Sequence, residues 1–303
     1  MTGPWQVLGS ARIPLPEMVK LDYLYVATWS LWGDVKILLQ RRPSCFAAAG
    51  SDPTAFRTSL AVVPAPDHAT VAILCGGRGT RLQEHTEAIP KPLVEIGGRP
   101  ILWHVIQIYA TQGFRRFVLC LGYKGEHIER FVSDEAWPDG LEIECVDTGL
   151  DTPTGGRLKR LEDRLGDETF CATYADGVAD VDLARLMHFH REHEALASMT
   201  VVRPELQFGI AELDAEDRVA GFHEKPRLEH WINGGFFVFE PGAFAYLSDS
   251  SVLEREPLEG LAEDGELRAF RHTGFWDCMD TYKDAVTLND VWKSGAAPWK
   301  LWA

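Results

Sequence analysis

The chain has 303 residues, 46% hydrophobic and 25% charged, an ordinary globular composition with room for one large domain or two. Its 30 Lys and Arg stand against 45 Asp and Glu, a formal net charge of −15, which weighs against a nucleic-acid binder because such proteins present a basic face. The cysteines at 45, 75, 120, 145, 171 and 278 form no C-x-x-C pair and no metal-ligand spacing, and read as small buried hydrophobes of a reducing, cytoplasmic compartment.

The opening "MTGPWQVLGSARIP" lacks the basic start and apolar core of a secretory signal. No segment reaches the roughly 18 uninterrupted apolar residues of a membrane-spanning helix. In the aromatic-rich stretch 17–42, Leu24, Leu31, Trp32, Val35, Leu38 and Leu39 can share one helical face, interrupted by Asp22, Asp34 and Lys36. Such a helix can lie on a membrane surface or pack on its own or another domain, but is ill suited to span. Residues 43–69, rich in Pro, Ala, Ser and Gly, read as a linker, and 70–303 as the main domain.

From residue 70 the pattern alternates. "TVAILC" (70–75) predicts a buried strand, 99–114 a helix ended by Gly113, 116–122 a strand and 125–132 a helix. Then come a strand at 141–146, a helix at 155–165, a strand at 169–174 ending against Asp176, and a helix at 180–193. This order implies an open α/β sheet, largely parallel, with ligands at the carboxyl ends of its strands. After residue 195 strands dominate ("LASMTVV", "FGIAEL", "RVAGFHE", "GGFFVFE"), which suggests an added mixed-sheet part, before a helix at 281–292.

The first strand runs into "LCGGRGTRLQEHTEAIPKP" (74–92). A Walker loop needs a lysine at a fixed offset from its glycines, and a dinucleotide fingerprint needs a third glycine where Leu82 stands. Neither fits. Gly76, Gly77 and Gly79, lacking Cβ atoms, can still turn tightly and bring backbone N–H groups up to a ligand. Arg81 offers a guanidinium fork suited to phosphate oxygens, and Lys91 a point charge stiffened by flanking prolines. Asp176 and Asp280 supply the hard oxygens a divalent cation takes, although an isolated Asp at a strand or helix end also serves as a cap. Glu224 and Lys225, before Pro226, read equally as an exposed ion pair at a turn.

The segments "GGRGTRL", "PKPLVEIGGRPILWHV", "LGYKGEHI", "VDTG…TGGRLKR", "TYADGVAD", "EKP", "INGGFFV", "GFWDCMDT" and "APWK" resemble the sugar nucleotidyltransferases over residues 70–303. Within them they are most similar to the glucose-1-phosphate cytidylyltransferases. The resemblance implies a Rossmann-like nucleotidyltransferase fold with a mostly parallel central sheet and an added mixed-sheet sugar-binding part. It implies a homo-oligomer that uses Mg2+ and binds a nucleoside triphosphate and a sugar 1-phosphate.

By that resemblance Leu74, Gly76, Gly77, Gly79, Thr80, Thr152, Arg157 and Ala175 surround the nucleotide. Arg81 faces the leaving pyrophosphate and Lys91 the α-phosphate, while Asp176 and Asp280 hold the metal. Glu224, Lys225 and Asn233 take the sugar phosphate. The sugar phosphate is itself the nucleophile, so catalysis is expected to be positioning and charge neutralisation. The same reaction with UTP, dTTP or another sugar phosphate, and a non-catalytic sugar-nucleotide sensor, are the alternatives. The chain departs from the family in Ala175, where a glycine is usual, and in a shorter stretch between "GYKGEHI" and "VDTG". Residues 1–42 resemble instead the carboxyl-terminal tail of bacterial polyprenyl-phosphate sugar phosphotransferases, without their catalytic part, so no phosphoglycosyl transfer is expected.

Overall fold

The computed structural model describes residues 69–79 and 89–302. The expected helix within 1–42, the linker up to residue 68, and Thr80 and Arg81 lie outside the described residues.

A seven-stranded sheet organises the rest. In chain order its strands are β1 (Val71–Leu74), β4 (Arg116–Leu121), β5 (Glu142–Asp147), β6 (Phe170–Tyr174), β8 (Ala197–Val202), β11 (Ile232–Phe239) and β12 (Leu267–Arg271). Their spatial order is β12-β8-β11-β6-β1-β4-β5. The pairings β1–β4, β1–β6, β4–β5 and β8–β12 are parallel, and only β11 runs against its neighbours β6 and β8. The sheet is therefore mostly parallel, as the α/β alternation requires.

β1 explains why such short apolar runs become central strands. Val71 and Ile73 enter the core on one face, Ala72 and Leu74 the core on the other, so both sides of the strand are covered. One face is sealed by α1 (Ile101–Thr111), whose nine residues Ile101, Leu102 and His104 to Ala110 are buried, and by α5 (Leu183–His193). The opposite core takes Leu158 of α3 (Thr154–Lys159), Leu165 of α4 (Glu162–Leu165), and Leu258 and Leu261 of α6 (Glu256–Glu263). Helix α2 (Gly125–Asp134) buries Ile128, and α7 (Tyr282–Lys293) closes the described chain with Ala285 and Leu288 inside.

Several boundaries differ from the sequence reading. Residues 99 and 100 form a short strand, β3 (Arg99–Pro100), paired with β2 (Glu95–Ile96). Helix α1 starts only after Pro100, whose missing N–H is harmless there. The single helix expected at 155–165 is two short ones, α3 and α4. The strands "LASMTVV" and "GGFFVFE" are β8 and β11 of the central sheet; the part that stands apart is the hairpin of β9 (Ile210–Leu213) and β10 (Val219–His223). Periodicity identifies a strand but not its neighbours, which is why their sheet was not readable. Two more strands, β7 (Gly177–Ala179) and β13 (Trp276–Cys278), pair antiparallel beside the main sheet. Among the described residues no helix is long and apolar enough to cross a membrane.

Candidate active site

The carboxyl ends of β1 and β6 open onto a cavity of about 290 Å³. It is lined by Leu74, Gly76, Gly77, Gly79, Lys91, Thr152, Arg157, Ala175 and Asp176, with Pro92, Pro153, Thr154 and Tyr174 filling the wall. Every expected nucleotide-binding residue within the described chain thus converges on one hollow, where parallel α/β sheets place their ligands.

Lys91 begins a 3₁₀ turn, Lys91–Leu93, with Pro90 at its cap and the ring of Pro92 buried. Its Nζ donates to Asp176 Oδ2 at 2.5 Å and to Asp280 Oδ1 at 2.8 Å. Burial works against the ammonium, but the two carboxylates outweigh it and raise the lysine above its ordinary value. The carboxylates meet because β13 pairs with β7: Cys278 lies opposite Gly177, and Met279 N donates to Asp176 O at 2.9 Å. Asp280 is then fixed by the start of α7. Thr281 and Asp284 form a capping box, and Asp284 Oδ2 also accepts from Asp280 N at 3.1 Å. The T-x-x-D spacing at 281–284 was the available signal for that cap.

Arg157 is 3% exposed. Its Nη1 donates to Leu121 O, Thr148 Oγ1 and Gly149 O, and its Nη2 to Gly76 O at 2.9 Å and Leu150 O at 3.3 Å. The two terminal nitrogens are therefore committed to the loops that frame the cavity. Burial lowers its basicity. The glycines before it serve packing: a Cβ on Gly156 would come within 2.2 Å of Asp249 O. Ala175 is buried at the cavity wall and belongs to the sheet core.

The expected sugar residues are only partly gathered. Asn233 Nδ2 donates to Tyr174 Oη at 3.1 Å, one hydrogen bond from the cavity, and its Oδ1 accepts from Gly235 N at 2.8 Å. Glu224 and Lys225 are exposed after β10 and do not line the cavity; Lys225 adopts φ +47°, a left-handed conformation. Tyr174 and Glu254 were missed by sequence reasoning. Tyr174 Oη donates to Glu254 Oε1 at 2.6 Å, and Thr154 Oγ1 to Glu254 Oε2 at 2.7 Å, so one carboxylate ties two cavity-wall residues together. Burial, then Glu254, raises the Tyr174 phenol well above its ordinary value. Nothing in the local pattern around Glu254 signals this contact. Trp276 is half-buried and donates from Nε1 to Gly234 O at 2.7 Å.

The buried Cys75 thiol is pushed up by burial, which leaves it a packing group rather than a nucleophile. A glycine loop, a half-buried lysine and two convergent carboxylates near strand ends are the features of a nucleotide-handling α/β protein. Comparison with known proteins agrees. Residues 70–272 match the family described as Nucleotidyl transferase, and the chain belongs to that family. It is 43% identical over 252 residues to the "Probable glucose-1-phosphate cytidylyltransferase" of Bacillus subtilis (strain 168), covering 76% of this chain and 98% of that one. It is 42% identical over 257 residues to the "Glucose-1-phosphate cytidylyltransferase" of Salmonella typhi, with the same coverage. Among solved structures, HddC from Yersinia pseudotuberculosis superposes with TM-score 0.59 at 23% identity, covering 74% of this chain and 100% of that one. A UDP-glucose pyrophosphorylase complexed with UDP-glucose gives 0.60 at 15%, covering 75% and 99%. These two share the fold.

Proposed function

We propose that this chain is a glucose-1-phosphate cytidylyltransferase: it joins CTP and glucose 1-phosphate to give CDP-glucose and pyrophosphate. One observation carries the reading. Lys91, Asp176 and Asp280 converge beside the glycine loop, in a chain 42–43% identical to relatives with that name.

A phosphate oxygen of the sugar phosphate attacks the α-phosphorus of the nucleotide, and the bond to the pyrophosphate oxygen breaks. No side-chain nucleophile is needed. Backbone N–H groups around Gly76, Gly77 and Gly79 are suited to the nucleotide, with Leu74, Thr80, Thr152 and Ala175 around it. Arg81 is assigned to the leaving pyrophosphate and Lys91 to the charge at the α-phosphate. Arg157 contributes by fixing the loops through carbonyl oxygens. Asn233, with Glu224 and Lys225 on the hairpin side, is assigned to the sugar phosphate.

The donor set fits Mg2+. The Lys91 ammonium stands in for a cation, since one Asp176 oxygen and one Asp280 oxygen both reach it. Among the described residues no cluster of three or more metal-ligating side chains exists, so substrate phosphates and water would complete the shell, as magnesium favours. When bound, the metal neutralises phosphate charge during transfer.

The test is pyrophosphate release from purified protein with Mg2+ and CTP, UTP, dTTP, ATP or GTP, each with and without glucose 1-phosphate. Release that needs both CTP and the sugar phosphate supports the reading. Release with another nucleotide moves the base preference, and silence from folded protein with every pair removes the enzyme reading.

A further inference from the structure

Glu254 precedes α6 and does not line the cavity around Asp176, yet two hydrogen-bond chains from the cavity wall end on it. Its Oε1 accepts from Tyr174 Oη at 2.6 Å and its Oε2 from Thr154 Oγ1 at 2.7 Å. Each hydroxyl oxygen accepts in turn from a donor behind it. Asn233 Nδ2 reaches Tyr174 Oη at 3.1 Å, and Leu253 N reaches Thr154 Oγ1 at 2.9 Å. Thr154 begins α3, Tyr174 ends β6 and Asn233 lies in β11, so one carboxylate joins three elements distant in sequence.

The partners fix the direction of every proton in these chains. An ionised carboxylate only accepts, so both hydroxyl hydrogens point at Glu254. Tyr174 Oη is then left to accept, and it faces the Asn233 amide nitrogen. The other end of that amide is fixed as well: Asn233 Oδ1 accepts from Gly235 N at 2.8 Å. Gly235 has φ +79°, and a Cβ there would come within 2.6 Å of the Tyr174 ring, so the ring and the turn that holds Asn233 pack as one unit. Removing the acceptor at 254 releases the phenol hydrogen, and Tyr174 no longer presents a fixed lone pair to Asn233.

We propose that Glu254 is a positioning residue for the sugar phosphate: it acts through the Tyr174 hydroxyl to hold Asn233 in the orientation that receives this substrate. The role rests on the reaction proposed above, in which Asn233 is assigned to the sugar phosphate. The nucleotide side of the wall depends on Glu254 less. It has further ties to the same segment, Leu253 N to Thr154 Oγ1 and Gly156 N to Ser251 O at 3.0 Å.

The test is steady-state pyrophosphate release in Glu254→Ala, Tyr174→Phe and the double variant, with Mg2+ and the nucleotide and sugar phosphate that the wild-type protein uses best. We expect each single variant to raise KM for the sugar phosphate about five-fold, the scale of one hydrogen bond, while KM for the nucleotide stays within about two-fold. Because Glu254 acts through the phenol, the double variant should match the single ones rather than multiply them. Glu254→Gln, whose side-chain carbonyl can still accept from Tyr174, should recover most of the loss. Tyr174→Phe keeps the ring, which meets Phe237 edge-on at 5.8 Å between centroids, and carries the test if the alanine variant does not fold. An unchanged KM for the sugar phosphate, a parallel rise of both KM values with a lowered thermal midpoint, or multiplied effects in the double variant would overturn the proposal. A wild-type protein silent with every substrate pair would remove the reaction itself and this role with it, whereas an active wild type with unaltered variants removes the role alone.

Discussion

The Arg157 guanidinium fills the space where a side chain on Gly76 would begin: an ideal Cβ there would sit 2.1 Å from Nη1. The glycine is thus required by an arginine within the protein, in addition to any ligand outside it. Gly76→Ala must push Arg157 off its carbonyl partners. We expect a loss of about 1–3 kcal/mol from overpacking and at least ten-fold weaker nucleotide binding, read by urea unfolding and by titration. Arg157→Met removes a donor from five acceptors, of which Gly76 O and Leu121 O keep backbone partners, and should cost on the order of 3 kcal/mol. Unfolding midpoints equal to wild type would show that the network is dispensable.

Lys91 holds the two carboxylate oxygens that the proposed mechanism assigns to a divalent cation, so the two would compete for them. Lys91→Met should therefore abolish most turnover while strengthening Mn2+ binding in the absence of nucleotide, by roughly ten-fold for each 1.4 kcal/mol of relieved competition. Electron paramagnetic resonance of free Mn2+ would measure it. An unchanged or weaker affinity would mean that the lysine and the metal use separate oxygens. Because the lysine is raised above its ordinary value by the two carboxylates, its charge persists through neutral pH and is lost only as pH rises through that raised value.

Asp280→Asn keeps the shape of the cap at α7 but removes one of the two carboxylates proposed to hold the metal. We expect the Mg2+ concentration for half-maximal activity to rise at least ten-fold with little change in thermal midpoint. An unaltered metal titration would exclude Asp280 as a ligand.

His104 carries a pH dependence that does not involve the active site. Burial depresses it to about 4, although its bond to Ile96 O opposes this. Its Nε2–H donates to Ile96 O at 2.8 Å, and its Nδ1 accepts from Trp299 Nε1 at 3.4 Å, a pair of contacts that requires the neutral ring. The unfolded chain takes up the proton first, near pH 6.5. Stability is therefore full above that value and falls as pH drops toward 4, by roughly 3 kcal/mol if the shift is realised in full. Urea unfolding at pH 7.5 and 4.5 should show a smaller difference in His104→Gln than in wild type. Equal differences would remove His104 from the acid response.

The sequence made the glycine loop and Asp176 legible because each follows the end of a short apolar strand, and Lys91 legible because prolines flank it. It could not show that Lys91 meets both carboxylates, since that depends on β13 pairing with β7 across a long stretch of chain. Arg157 is expected by resemblance to border the nucleotide; its environment of carbonyls depends on loops distant in sequence and leaves no local trace. Tyr174 and Glu254 were missed for the same reason. The antiparallel insertion of β11 was likewise invisible, because alternation identifies a strand without its neighbours.

The β13–β7 pairing also sets an order of events during synthesis. Chain up to residue 240 already carries the glycine loop, Lys91, Asp176 and every strand of the central sheet except β12. The second carboxylate arrives only with the last described strand and the helix behind it. A nascent chain can therefore assemble most of its sheet while still lacking the pair of charges that the proposed reaction uses, so competence would come with completion of the fold.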